Sequence, residues 1–319
     1  MKAIVIGGCG HIGSFLVPML IQAGYQVTAI SRGKSKPYST NCAWERANIA
    51  ILDREKDANF AEKVAAMDAD IVVDLINFHV EDTYKMVEAL KGTRLSHYLF
   101  CSSIWAHGRV KTLEVNPNDL QKEPLDDYGR NKFLSELYLK EQWRTINFPA
   151  TIIMPGQISG AGWIIINPWG NMNTKIFETI ARGEKIYLPN WGMETLHHVH
   201  ASDVAQLFFK AITHRHLSLG ESFHAVAEES LTLYGYASLM YDFFNRQPNI
   251  DFLPWDKWAE YEGNREEVSH TYYHIARSGK YSIENAKQLL GYQPEYTIQR
   301  TVVESIQSYI DRDVIRLSK

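Results

Sequence analysis

The sequence predicts an α/β protein, with a doubly wound parallel sheet in its N-terminal half and a smaller, less regular C-terminal region. Three observations carry that expectation. From Met1 to about residue 155, short apolar runs alternate with amphipathic stretches, the pattern of repeated βα units around a parallel sheet. Gly7, Gly10 and Gly13 stand three apart between the first apolar run and a helical pattern. After about residue 160 the texture changes, and Trp163, Trp169 and Trp191, with Pro168 and Pro189, fall in segments that read as loops. The expected division is therefore 1–160 and 161–319, with a segment near 195–215 returning to the first part.

The elements follow in chain order. The strand candidates are AIVIGG, QVTAIS, DIVVDLI, HYLFCSS and ATIIMPG. Between the first two, Ile12, Phe15, Leu16, Met19 and Leu20 recur at helical spacing and mark a buried face. Pro18 lies inside that helix; without an N–H it should kink the helix or weaken it. Further on, NTKIFETIARG and the amphipathic DVAQLFFKAIT read as helices. The stretch from Tyr281 to Arg312 reads as helix, turn, helix, punctuated by Gly291 and Pro294.

Composition narrows the function classes. With 319 residues, 45% of them hydrophobic, the chain can bury a large core. A net charge of −4 gives no general attraction to phosphate backbones or anionic lipid, so neither nucleic acid nor a membrane is an expected partner. No apolar stretch nears the roughly 20 residues of a membrane span, and the expectation is a cytoplasmic protein. Cys9, Cys42 and Cys101 are odd in number and not in C-x-x-C spacing, which suggests buried or half-buried free thiols. His197, His198 and His200 invite a zinc reading. On an extended segment, however, His198 and His200 share a face that His197 does not, and no cysteine is near. They read as packing or hydrogen-bonding groups, with His198 a candidate to face substrate, and no metal is expected.

The glycine run has a chemical reason. A tight strand-to-helix turn that presents backbone N–H groups to a pyrophosphate has no room for Cβ atoms, and the helix N-terminus adds partial positive charge. At the end of the second strand an acid would accept the ribose 2′-hydroxyl of NAD, whereas an arginine accommodates the 2′-phosphate of NADP. Here Ser31 takes the acid's place and Arg32 follows, which favours NADP while leaving NAD open.

Ser103 closes the fourth strand candidate, and 25 residues later comes YGRNK, with Tyr128 and Lys132 one helical turn apart. A phenol of pKa about 10 is a weak base until positive charge favours its phenolate. Lys132 is expected to supply that charge and Ser103 to bond the substrate oxygen. Trp105 and Trp163 offer flat faces for C–H-rich rings and equally suit core or lid packing, and Gln157 and Asn171 offer hydrogen bonds or simply belong to polar loops. A hydrolase triad through Ser103 is disfavoured, because the G-x-S-x-G elbow is absent.

Together these motifs resemble the extended short-chain dehydrogenase/reductases, the NAD-dependent epimerase/dehydratase family. The resemblance rests on GGCGHIG, on Ser103 followed by Gly108, on YGRNK, on MPGQISGAG, on HHVHASDVA and on the closing LLGYQPEY, and it spans nearly the whole chain. It implies a Rossmann-type dinucleotide domain, a smaller substrate domain over the nicotinamide, and a Ser-Tyr-Lys site between them. It further implies that Gly7, Gly10 and Gly13, with His11 and Ile12 in the same turn, meet the pyrophosphate. Ser31, Arg32 and Asn48 would lie toward the adenosine end, Leu75 and Ile76 beside the cofactor, and Pro155 at the start of the loop covering the nicotinamide, whose ribose Lys132 would hold.

Family members often dimerise through the helix carrying Y-x-x-x-K. Phe133, Leu134, Leu137 and Tyr138 suit a homodimer contact and equally suit a plain buried face. The diphosphate-binding arginine of the family's nucleotide-sugar epimerases is not recovered, since Glu194 or Leu196 stands at its place. The Asp-Glu pair of the sugar dehydratases is replaced by Ile104 and Trp105, which disfavours dehydration. The functional expectation is an NAD(P)-dependent epimerase or reductase/dehydrogenase acting on a hydroxyl-bearing carbon of a small polar, sugar-like substrate. The alternative is a non-catalytic NADP sensor or RNA-associated protein on the same fold.

Overall fold

In the computed structural model, which describes residues 1–38 and 41–317, the first apolar run forms β1 (Lys2–Ile6) and the helical pattern after it forms α1 (His11–Gln22). Alternation continues through β2 (Gln26–Ser31), β3 (Asn48–Ile51), α2 (Phe60–Ala66), β4 (Ile71–Asp74), α3 (Val80–Leu90), β5 (His97–Cys101), α4 (Asp127–Ile146) and β6 (Ala150–Pro155). A late strand, Ser222–Ala225, completes a seven-stranded sheet in the order Ser222–Ala225, β6, β5, β4, β1, β2, β3. All six pairings are parallel. The strands read as near-continuous apolar runs because helices cover the sheet: α1 packs on the helix Ala201–Thr213, and α3 packs on α2 and α4. Strand order reverses beside β1, between β4 and β2, which is where such sheets open a crevice at their C-terminal ends.

Two short strands escape the sequence reading for physical reasons. β3 is a four-residue edge strand whose side chains are largely exposed, and its apolar residues are too few to show a strand period. Ser222–Ala225 is fully buried but contributes a serine and a histidine among its four residues, too short and too polar to stand out.

The turn between β1 and α1 needs its glycines. Gly7 has φ +81°, a conformation that L side chains rarely adopt, and its N–H reaches the Ile30 carbonyl at 2.9 Å. A Cβ on Gly13 would stand 2.2 Å from the Gly8 carbonyl oxygen, so only glycine lets α1 approach the turn this closely. Pro18 does not break α1. Pro18 cannot donate to the Ser14 carbonyl, and the Trp44 indole N–H, at 3.4 Å, points at that carbonyl instead.

Beyond β6, pairings are short. β7 (Gln157–Ser159) pairs with His198–His200, and Ile186–Pro189 pairs with Ile250–Leu253. Ile186–Pro189 and Ile250–Leu253 belong to a second apolar core drawn from residues between Ile165 and Ile315, whereas Ile158 and Val199 pack with the core around the large sheet. The C-terminal pair of helices, Glu284–Leu290 and Ile298–Asp311, is separated at Gly291, whose φ of +61° stops the first. Cys9 and Cys101 are buried, but Cys42 is exposed, because it opens a surface turn rather than entering the core as its type suggests.

Gly13→Ala is expected to lower stability by about 1–3 kcal/mol through overpacking at the Gly8 backbone. A urea melt would read this, and an unchanged midpoint would contradict the close approach.

Candidate active site

The C-terminal ends of β1, β4, β5 and β6 border a cavity of about 320 Å³. The β1–α1 turn supplies Gly7, Gly10, His11 and Ile12; the segment after β4 supplies Leu75, Ile76 and Phe78; β6 supplies Pro155. Ser103 enters from just beyond β5, and Tyr128 and Lys132 from the first turns of α4. A second cavity of about 460 Å³ adjoins it and shares Ser103, Tyr128, Gly156, Ile158 and Trp163. Its remaining wall includes Trp105, Gln157, Ser159, Ile164, Ile166, Met172 and His274.

Lys132 is buried, and its ammonium donates to the backbone carbonyls of Asn77 at 2.6 Å and Cys101 at 2.7 Å. Asn77 is itself fixed. Its amide donates to Asp74 at 3.3 Å and to Thr83 at 3.1 Å. Asp74, fully buried at the end of β4, also accepts from Tyr98 at 3.0 Å and from Arg54 at 2.7 Å. The Lys132 ammonium lies 5.5 Å from the centre of the Tyr128 ring.

The electrostatic balance at Tyr128 differs from the sequence expectation. The ring borders both cavities, yet the protein crowded around it penalises a phenolate, and that burial pushes the phenol above its ordinary range. A hydrogen bond with Ser103 and the charge of Arg277 act in the opposite direction without overcoming it. Burial likewise lowers the pKa of Lys132. In this form the phenol keeps its proton at neutral pH.

Trp105 joins the site to the C-terminal region. Its ring meets Tyr128 edge-on at 5.8 Å and His274 at 5.1 Å, and the Arg277 guanidinium lies 3.6 Å above it. Arg277 donates to Asp126 at 2.7 Å, and the other oxygen of Asp126 caps α4 by accepting from Gly129 at 2.7 Å. At the opposite end, His11 stacks on Trp163 with ring centres 4.9 Å apart, and Tyr38 meets both edge-on.

Several residues singled out in the sequence lie elsewhere. Asn48 begins β3 and pairs with Thr28, three residues before the Ile51–Ser31 pair at the end facing the glycine turn, so it does not border the cleft. Ser31 lies at that upper end, where its hydroxyl accepts from the Gly33 N–H at 3.2 Å, and Arg32 beside it is exposed. Asn171 is fully buried and bonds Asn167 and Thr271, which consumes it in the loop. His198 is also fully buried, with Nδ1 2.9 Å from the Ser159 hydroxyl, and it borders neither cavity. His200 stacks on Tyr296 at 3.7 Å. Among the described residues no group of three or more His, Cys, Asp or Glu is arranged for a metal ion. Sequence reasoning missed His274, Arg277 and Met172, which lie far along the chain from Tyr128 and carry no local motif.

Residues 3–224 match the NAD dependent epimerase/dehydratase family. Chloroplast stem-loop binding protein of 41 kDa b from Arabidopsis thaliana is 26% identical over 328 residues, covering 99% of this chain and 81% of that protein. The 2'-dehydrokanamycin reductase of Streptomyces kanamyceticus is 26% identical over 162 residues, covering 51% of this chain and 44% of the reductase. The UDP-glucuronic acid 4-epimerase of Bacillus cereus, solved with UDP-glucuronic acid and NAD, has the same fold. It superposes at a TM-score of 0.74 with 17% identity, covering 98% of this chain and all of that one.

Burial lowers the pKa of three imidazoles: His11 to about 4, His198 to about 3 and His274 to about 4. Folded-state values below the ordinary 6.5 mean that the unfolded chain binds the extra protons. Their stabilising contribution is complete above pH 6.5 and is lost as pH falls toward 4 and then 3. Each should remove roughly 1.4 kcal/mol of stability per pH unit through that window. Urea midpoints are therefore expected to drop steeply between pH 7 and pH 5, and a flat profile would contradict the buried neutral imidazoles.

Proposed function

The chain belongs to the NAD dependent epimerase/dehydratase family, and on that premise we propose that it is an NAD(P)-dependent oxidoreductase or epimerase acting on a hydroxyl-bearing carbon of a small, sugar-like substrate. The observation that carries the reading is that Ser103 and Tyr128 border both cavities at once, the one beside the glycine turn and the one beyond it. The first cavity suits a dinucleotide: glycine backbone at the N-terminus of α1 for the pyrophosphate, and apolar Leu75, Ile76 and Pro155 around it. Ser31 and Arg32 at the end of β2 support NADP ahead of NAD.

Bound nicotinamide would supply the hydride donor or acceptor. The chain's own groups handle the oxygen. The Tyr128 phenol gives a proton to a carbonyl oxygen in reduction and takes it from the alcohol in oxidation, and Ser103 holds that oxygen with its hydroxyl. The Lys132 ammonium stands 5.5 Å from the centre of the Tyr128 ring, and Trp105 and Ile158 line the cavity beside Ser103 and Tyr128. The protonated state of the phenol in this form suits the reductive direction first.

A second reading, association with structured RNA, is favoured by the stem-loop-binding relative that matches nearly the whole chain. The net charge of −4 argues against it. Anisotropy on a labelled RNA stem-loop tests it, since true phosphate contacts weaken steeply with salt.

Fluorescence titration with NADPH and NADH tests the main reading. Arg32→Ala is expected to weaken NADPH about tenfold or more, as loss of one charge-assisted bond, and to leave NADH unchanged. Tyr128→Phe should bind cofactor as the parent does and lower turnover about 10²–10⁴-fold. A purified protein that takes up neither dinucleotide rules the reading out.

A further inference from the structure

We propose that the second cavity takes an uncharged, phosphate-free alcohol or ketone with one apolar face, and that it excludes nucleotide-diphosphate sugars. The inference deepens the reading above and rests on Ser103 and Tyr128 marking the reacting end of that cavity.

Charge is the first argument. Of the described residues bordering the second cavity, none is Lys, Arg, Asp or Glu. Its one titratable imidazole, His274, is paired through Nδ1 with the His270 carbonyl at 2.8 Å. Burial holds this imidazole near pKa 4, so it is neutral at physiological pH. A diphosphate entering such a space would lose its hydration without gaining a counter-charge, which is strongly unfavourable.

The cations nearby are already committed. Arg277 is 3% exposed, with its face on Trp105, one nitrogen on Asp126 and another on the Tyr273 carbonyl. Its Nε is buried without a partner, and Arg277 lines neither the second cavity nor the neighbouring one. Lys132 spends two of its protons on the Asn77 and Cys101 carbonyls. Glu194 brings negative charge to the next cavity along residues 272–276, where it is held by Asn190 at 2.5 Å.

Shape is the second argument. Trp105, Trp163, Ile164, Ile166 and Met172 give the cavity an apolar wall, and Trp163, Ile164 and Met172 are exposed at its rim. Polar groups gather at Ser103, Tyr128, Gln157 and Ser159. A ligand matched to this has an oxygen at one end and a C–H-rich or aromatic face against the indoles.

The test uses the full chain and two probes that share a sugar, UDP-glucose and phenyl β-D-glucopyranoside, followed by quenching of tryptophan emission. The uncharged glucoside is expected to bind at least about tenfold more tightly than UDP-glucose. Ile164→Arg, at an exposed rim position, should reverse that order by adding a cation for the diphosphate. UDP-glucose binding as tightly as the glucoside, failure of the glucoside to bind, or an Ile164→Arg variant with no gain for UDP-glucose would each overturn the inference. Titration with NADPH on the same samples separates the two proposals. If NADPH binds and UDP-glucose is preferred, only the substrate class falls; if NADPH does not bind, the redox reading falls while the order of the two probes still decides this one.

Discussion

A buried ammonium has to be hydrogen-bonded or it will not stay charged, and the satisfaction of Lys132 organises the centre of this molecule. Its two acceptors are backbone carbonyls that belong to different parts of the sheet edge, Asn77 just beyond β4 and Cys101 at the end of β5. One side chain thus ties α4 to two strand ends, and Tyr128, one turn earlier on the same helix, inherits its place from that tie. The Asn77 carbonyl is in turn held by bonds running back to Asp74 and, through Thr83, to Ser135 on α4 itself. The network closes on the helix it positions. Arg54 donates to Asp74 at 2.7 Å and to the carbonyl of cavity-lining Ile76 at 3.5 Å, so this ion pair supports the geometry at the cavity.

The same economy appears where the C-terminal region meets α4. Asp126 caps the helix with one oxygen and holds Arg277 with the other, and Arg277 presses Trp105 toward Tyr128. Two regions with separate apolar cores are therefore joined by a charged pair laid over an aromatic ring. Because the guanidinium is used in that joint, the neighbouring cavity keeps its apolar, uncharged wall.

What could be read in the sequence is what depends on neighbours along the chain. The glycine turn, five of the seven sheet strands and the one-turn spacing of Tyr128 and Lys132 are local patterns, and they appear in the structure where the patterns lie. The edge strand β3 and the four-residue strand Ser222–Ala225 were illegible because neither has the length to show a period. Side-chain destinations in the C-terminal loops were illegible for another reason. Asn171 and His198 are as polar as any cleft residue, and only tertiary packing decides that both are consumed internally. His274 and Arg277 reach the site from about 150 residues beyond Tyr128 on a helix and its end, with nothing in their immediate sequence to announce it. Asn48 shows how a motif position can mislead: one end of β3 faces the crevice, and Asn48, three residues away, lies at the other end.

Burial acts on Tyr128 and Lys132 in opposite senses, raising the acid and lowering the base, so both are driven toward their uncharged forms. The two carbonyls oppose this at Lys132 by accepting its protons, whereas the phenol has only the Ser103 hydroxyl and the more distant charge of Arg277. The asymmetry gives the pair a resting direction. A proton rests on the phenol, beside a hydroxyl that can pass a hydrogen bond onward, at the junction of two cavities. Reversing that direction requires positive charge closer to the phenol than the ammonium now stands, and a group that competed for the Lys132 protons would also move the charge that the phenolate needs. The carbonyls of Asn77 and Cys101 thereby fix both the place of α4 and the distance between the ammonium and the phenol ring.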